Sequence, residues 1–183
     1  MRRLALSVAL SSALLLGGCA RSELHVLAYS ERLDLAERES FAVLGTQLGH
    51  ERCWGFGEPA AVISVLAPRY RPPETPPEVG TPAEAPGALG GLLAAAREEL
   101  EARGYRLVEV GETPGVVALI AHSTVGERTS RVGLHLGGAV GEVYRPDWIS
   151  LANEVDPQDE ADPEELLREL FAIVPTRGSG EPD

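Results

Sequence analysis

Few residues of this chain carry reactive side chains, and their spacing decides what chemistry each could support. There are two cysteines, Cys19 and Cys53, and four histidines, His25, His50, His122 and His135. In "HERC", His50 and Cys53 stand at i and i+3, a separation at which an imidazole and a thiolate could share a zinc or copper ion. Such a site needs a second pair, and no C-x-x-C or H-x-x-x-H is present, so both read as loop residues with Cys53 and Trp54 tucked into the core. His25, His122 and His135 lie in apolar, strand-like stretches and are expected to be structural histidines. Ser123 follows His122, but there is no G-x-S-x-G elbow, and neighbours in a strand point to opposite faces. The acidic run from Asp156 to Glu165 has Ala161 where a calcium loop needs its glycine, and reads as a solvated helix start that complements the helix dipole. "LGGAVGEV" lacks the glycine spacing and the Lys-Ser/Thr of a phosphate loop, and glycines in a strand pair mark bulges or tight packing. These residues assign no catalytic group, no metal and no cofactor, and a non-enzymatic role is expected.

Cys19 is the exception. It follows Met1-Arg2-Arg3, a largely apolar run from Leu4 to Leu16, and Gly17-Gly18. A short basic start, an apolar segment and small residues at its end are the parts of a secretory signal peptide. The run falls short of the roughly 20 apolar residues that span a bilayer. Leu16-Gly17-Gly18-Cys19 resembles the lipobox of bacterial lipoproteins, in which the cysteine thiolate takes a diacylglycerol and becomes the first residue after cleavage. One acyl chain holds only marginally, whereas two or three anchor stably, so the expected product is a soluble domain tethered to a membrane through Cys19. Residue 20 is Ala and not Asp, which by resemblance to the sorting rule of enteric bacteria implies the outer membrane, periplasmic face. With Cys19 consumed by lipid, Cys53 has no partner within the chain; disulfides do not hold this fold, and Cys53 is expected to be buried as a small hydrophobe.

Composition narrows the partners. The 183 residues suit one ordinary domain, and the 44% hydrophobic and 24% charged fractions are those of a folded protein. Loss of residues 1–18 removes Arg2 and Arg3, leaving 14 basic residues against 28 acidic ones and a formal charge of −14. Such a surface repels phosphate backbones and anionic headgroups, which excludes nucleic acid as a partner and an electrostatically bound membrane surface.

The elements that must position these residues follow from periodicity. Leu24 to Tyr29, Ser40 to Leu44 and Ala61 to Leu66 predict short strands, with the glycine-bearing stretch between Gly45 and Pro59 as loop. Seven prolines between Pro68 and Pro86 predict an extended surface loop that cannot join a sheet interior. In "GALGGLLAAAREELEARG", Leu89, Leu92, Leu93, Ala96 and Leu100 fall on one helix face, with Gly104 as the left-handed stop. Tyr105 to Val110 and Val116 to His122 predict strands, the second central and well buried, and "RVGLHLGGAV" and "DWISLANEV" two more. Asp162-Pro163-Glu164-Glu165 opens a last helix as a capping box, with Leu166, Leu167, Leu170, Phe171 and Val174 as its apolar face and Pro175 as its end. The expected organisation is a signal peptide at 1–18, a lipidated tether at 19–23, a single α+β (or α/β) domain at 24–175 with a Pro-rich loop at 68–86, and a disordered tail at 176–183. Its sheet is mixed or antiparallel, of about four to six strands, with two amphipathic helices packed on it.

The lipobox, the strand "SFAVL", the helix leading into "EELEARGYRLVE", the apolar strand "VVALIAH" and the closing helix "LLRELFAIVP" together are similar to a family of small Gram-negative envelope lipoproteins, the domain of unknown function four-one-three-six. The match is best over Leu92 to His122 and Leu166 to Pro175. It departs where the family has an acidic residue entering the apolar strand and this chain has Pro114-Gly115. The resemblance implies an envelope location and carries no activity. Function is expected to be a binding or structural role in the envelope. The alternatives are an accessory subunit of an envelope transport or assembly complex, with a protein partner, and an unrecognised periplasmic enzyme; any small-molecule ligand is unassigned.

Overall fold

The protein is seen in a computed structural model that describes residues 22–29, 38–50, 52–57, 79–109, 111–140, 143–154 and 162–174. The apolar run "VVALIAHSTV" forms a strand at Val116–Val125 (β6), and the rest of the sheet is laid against it. In chain order the strands are β1 (Ser22–Tyr29), β2 (Ser40–Gln47), β3 (Cys53–Phe56), β4 (Val79–Gly80), β5 (Arg106–Leu107), β6, β7 (Arg128–Val140) and β8 (Val143–Glu154). They make one eight-stranded sheet in the order β1-β8-β7-β6-β2-β3-β4, with β5 paired to the start of β2. β6, β7 and β8 form an antiparallel meander and β1 closes on β8, whereas β2 lies parallel to β6. Parallel neighbours cannot be joined by a tight turn, and the crossover here contains the helix α1 (Leu89–Ala102).

Helix α1 buries Leu89, Leu92, Leu93, Ala95, Ala96 and Leu100, the predicted stripe with Ala95 added. Its end is a Schellman motif. Gly104 at φ +87° donates to the Glu101 carbonyl at 2.9 Å, and the Tyr105 amide donates to the Leu100 carbonyl at 3.1 Å. Helix α2 (Pro163–Ala172) begins where Asp162 Oδ1 accepts from the Glu164 amide at 2.9 Å. The two helices run side by side in the same direction. Near their starts the Glu164 carboxylate lies where a Cβ on Gly91 would stand, and at their ends the Arg103 guanidinium donates to the carbonyls of Phe171 (2.5 Å) and Val174 (3.5 Å). That capping of α2 by an α1 residue ties the helix layer together.

Both helices cover one face of the sheet. Phe41, Val43, Val116, Ala118, Ile120, Val132, Leu134, Leu136, Trp148 and Ala152 meet the helices' leucines and Phe171 in the main core. The opposite face carries a smaller cluster of Ala42, Leu44, Val117 and Val108, flanked by Cys53, Val79 and Leu119. β6 is thus packed on both faces, as its unbroken apolar run predicts.

The α+β class and mixed sheet are as expected, but the strand count is larger than the predicted four to six. β3 arises within a stretch read as loop. A Cβ on its Gly55 would collide with the Val43 carbonyl, so this glycine permits close strand approach and does not mark a turn. Tyr105 to Val110 contributes only the two-residue β5, because the chain leaves β2 for a turn in which the Glu112 amide donates to the Glu109 carbonyl at 3.1 Å. Of the proline-rich segment, residues 79–86 are described. They form the edge strand β4 and a short 3-10 turn, Pro82–Glu84, which agrees with exclusion of proline from a sheet interior. The predicted strand Ala61 to Leu66, Pro175 and the tail at 176–183 lie outside the described residues.

Candidate functional site

The chemistry-bearing residues are placed by strand direction. β2 and β6 finish at the same end of the sheet, here the upper end, where the Leu48 amide donates to the His122 carbonyl at 2.9 Å. Both helices start at that end, since Leu89 and Leu93 pack around Gly45 of β2 and Glu164 packs at Gly91. β1 starts there too, because Ser22 pairs with Glu154, the last residue of β8. Cys19, the lipid-attachment residue expected from sequence, lies outside the described residues.

The HERC pair divides. His50 is exposed in the β2–β3 turn, its ring set edge-on to Trp54 with centroids 6.0 Å apart. Cys53 opens β3 and is half-buried, less enclosed than expected; it packs against the cluster on the opposite sheet face, where burial pushes its thiol pKa up. Trp54, next in the strand, faces the helices and is buried. His50 therefore accompanies Trp54 and not Cys53. The raised thiol suits the expected role as a small hydrophobe and opposes that of a reactive thiolate. No group of three or more metal-ligating side chains occurs among the described residues.

The strand histidines behave as core residues. His122 is 2% exposed, and its Nε2 lies 3.0 Å from Thr129 Oγ1. Its Nδ1 has no hydrogen-bond partner, and neither has Oε1 of Gln47, the residue opposite it in the β2–β6 ladder. Burial lowers the pKa of His122 and likewise that of the half-buried His135 on β7. In both, burial disfavours the protonated imidazole. Ser123 points to the other face, where its hydroxyl is 3.3 Å from that of Ser130. Strand alternation keeps it from His122, as the sequence indicates. Sequence reading finds His122 but neither Thr129 nor Gln47 as its neighbours, because only strand register brings them together. Of the "LGGAVGEV" glycines, Gly137 and Gly138 fall in β7, where the pairing with β8 shifts by one residue: Leu136 faces Trp148 and Gly137 faces Pro146.

A further polar feature lies at the lower end. Arg106 of β5 grips Glu112 through two hydrogen bonds of 2.7 and 2.6 Å. The guanidinium, with a bond from the Glu109 amide, holds the Glu112 carboxyl down at about 2. With both groups matched to each other, the pair staples the β5–β6 turn.

The described residues thus define a small α+β domain in which two parallel helices share one face of a mixed sheet, with His122 buried in its central strand and Cys53 packed beside the smaller cluster. By structure the chain resembles a DUF4136 family protein from Bacteroides thetaiotaomicron VPI-5482, with a TM-score of 0.52 and 9% sequence identity, over 84% of this chain and 96% of that one. At that identity the likeness is one of fold, and it agrees with the family resemblance read from "EELEARGYRLVE", "VVALIAH" and "LLRELFAIVP". No family model matches the sequence, and no curated protein matches it.

Proposed function

We propose that this protein is an envelope lipoprotein, held by lipid on Cys19 at the periplasmic face of the outer membrane, with a non-enzymatic binding or structural role. The observation that carries the reading is the sequence Leu16-Gly17-Gly18-Cys19 behind a basic start and an apolar run, followed within three residues by β1. Its support is physical. An exported chain needs a leader, and a diacylated cysteine anchors a soluble domain without a spanning segment. Among the described residues no helix is long and apolar enough to cross a membrane. The non-enzymatic reading is supported by the placement of His122, buried away from solvent and on the opposite face from Ser123.

Expression of the full chain in a Gram-negative host, with Cys19→Ser beside it, tests the anchor. The parent chain should fractionate with outer membranes and yield an acylated Cys19 peptide by mass spectrometry, and Cys19→Ser should appear soluble or uncleaved. Retention of a cleaved Cys19→Ser chain in the outer membrane, or a parent Cys19 peptide without acyl chains, overturns the reading.

A further inference from the structure

We propose that the upper end of the sheet is a membrane-apposed surface whose two apolar tips, Leu48 and Val125, rest in the headgroup region of the bilayer that holds Cys19. The inference rests on the lipoprotein reading and adds to it an orientation and a contact surface. Cys19 precedes the start of β1 at Ser22 by three residues, a separation of at most about 11 Å even when fully extended. An anchor on so short a tether brings one end of the domain to the bilayer. The ladders decide which end: Ser22 pairs with Glu154, and one step back Asn153 pairs with Arg131, itself opposite Ser123. The tether therefore leaves level with the last residues of β6.

That end is also where apolar surface is most exposed. Among the described large hydrophobic residues, Leu48 at 81% and Val125 at 73% are the most exposed. Leu48 follows β2 in the turn to β3, and Val125 closes β6 at the tip of the hairpin into β7. A single exposed leucine or valine on a soluble protein needs no explanation. Here the two most exposed ones stand at the end of the sheet from which the tether leaves, along the strand row that runs inward from the edge strand β1, and an interfacial contact requires such a shared end. Ile173, at the opposite end beyond α2, is 37% exposed.

Charge and height agree with contact through the strand tips. The chain is strongly acidic overall and Glu23 and Glu154 stand in the ladder beside the tether exit, but the β6–β7 hairpin that carries Val125 sets Arg128 and Arg131 against Glu127. The acidic first turn of α2, Glu164 and Glu165, stands at the same end but lower. Glu164 packs at Gly91, which lies between the Leu89 and Leu93 contacts on Gly45, and Gly45 is opposite Ile120. Leu48 is three residues beyond Gly45 along β2 and Val125 five residues beyond Ile120 along β6, on the order of 10 and 15 Å higher. The tips can meet headgroups while those carboxylates remain in water.

The test uses the native lipidated chain carrying Cys53→Ala, so that one introduced cysteine bears an environment-sensitive fluorophore at Leu48→Cys, Val125→Cys or Ile173→Cys. All three positions are partly or largely exposed, so the fold tolerates them. The proteins are reconstituted in phosphatidylethanolamine/phosphatidylglycerol vesicles with and without brominated acyl chains. Labels at 48 and 125 should shift to shorter wavelength and lose intensity to the brominated lipid, and the label at 173 should do neither. If labels at 48 and 125 behave like that at 173 while mass spectrometry confirms acylated Cys19, the docking is overturned and the anchor stands. An unacylated Cys19 overturns the lipoprotein reading itself. Labels shielded in native envelope membranes but not in vesicles would mean that a protein covers these tips, which also overturns membrane contact.

Discussion

A histidine enclosed in a core resists protonation, and this chain holds one almost wholly buried in β6 and one half-buried in β7. For His122 and His135 burial depresses the pKa below the ordinary 6.5, so the folded state takes up a proton less readily than the unfolded chain. Their contribution to stability is complete above about pH 6.5 and is lost as pH falls through and below it. Melting temperature should therefore drop between pH 7.5 and 5.5, and His122→Gln should flatten that drop. Parallel pH curves for parent and variant would show that His122 does not carry it. At this scale the sequence was informative about type and weak about company. That Ser123 and His122 diverge follows from alternation alone, but the nearness of Thr129 to the His122 ring depends on a register shift between Ser123 and Thr124 that no local signal announces. The separation of His50 from Cys53 likewise depends on β3, whose "CWGF" carries a glycine that reads as a break.

At the scale of elements the helices were legible and the short strands were not. The stripe of α1 and the Asp162 start of α2 are written in spacings of three and four and in capping chemistry, all local. β3, β4 and β5 exist because they are paired, two of them over only two residues each, and pairing is a property of distant segments. Two glycines separate the local effect from the tertiary one. Gly104 adopts φ +87° with nothing within 4 Å of its Cβ position, so Gly104→Val should cost a little over 1 kcal/mol through backbone strain alone. Gly45 is the reverse case. Its Cβ position lies 2.8 Å from Leu93 Cδ2 and 2.9 Å from Leu89 Cδ1, so Gly45→Val forces α1 away from β2 at a cost of about 1–3 kcal/mol. Urea denaturation of both variants checks this. An unaltered midpoint for Gly104→Val removes its role in the cap, and an unaltered midpoint for Gly45→Val means that the helix layer repacks freely.

For the whole molecule, the order of strands determines which parts can open without the rest. β2 and β6 lie side by side with apolar side chains packed on both faces, Phe41 and Ile120 toward the helices and Leu44 and Val117 away from them. β1 is the last strand of its side of the sheet, with Leu24 at 37%, Val26 at 46% and Leu27 at 62% exposure. Local openings draw on the regions with least buried apolar contact, so amide exchange should begin in β1 and reach β2 and β6 only on global unfolding. None of this order was readable in advance. Hydrophobic pattern marks a strand but not its neighbour, and the parallel β2–β6 pair joins residues more than seventy positions apart. The exchange order bears on the membrane reading, because β1 is the element through which any anchor on Cys19 would act. A β1 that exchanges as slowly as β6 would give a rigid link between lipid and sheet. A β1 that exchanges first, the expected result, would add its own length to the tether whenever it detaches and let the domain lift from the bilayer. Exchange measured on the lipidated protein in vesicles should then show β1 more protected than in the Cys19→Ser protein, since contact of Leu48 and Val125 with the headgroups holds the upper end of the sheet down and disfavours the opening.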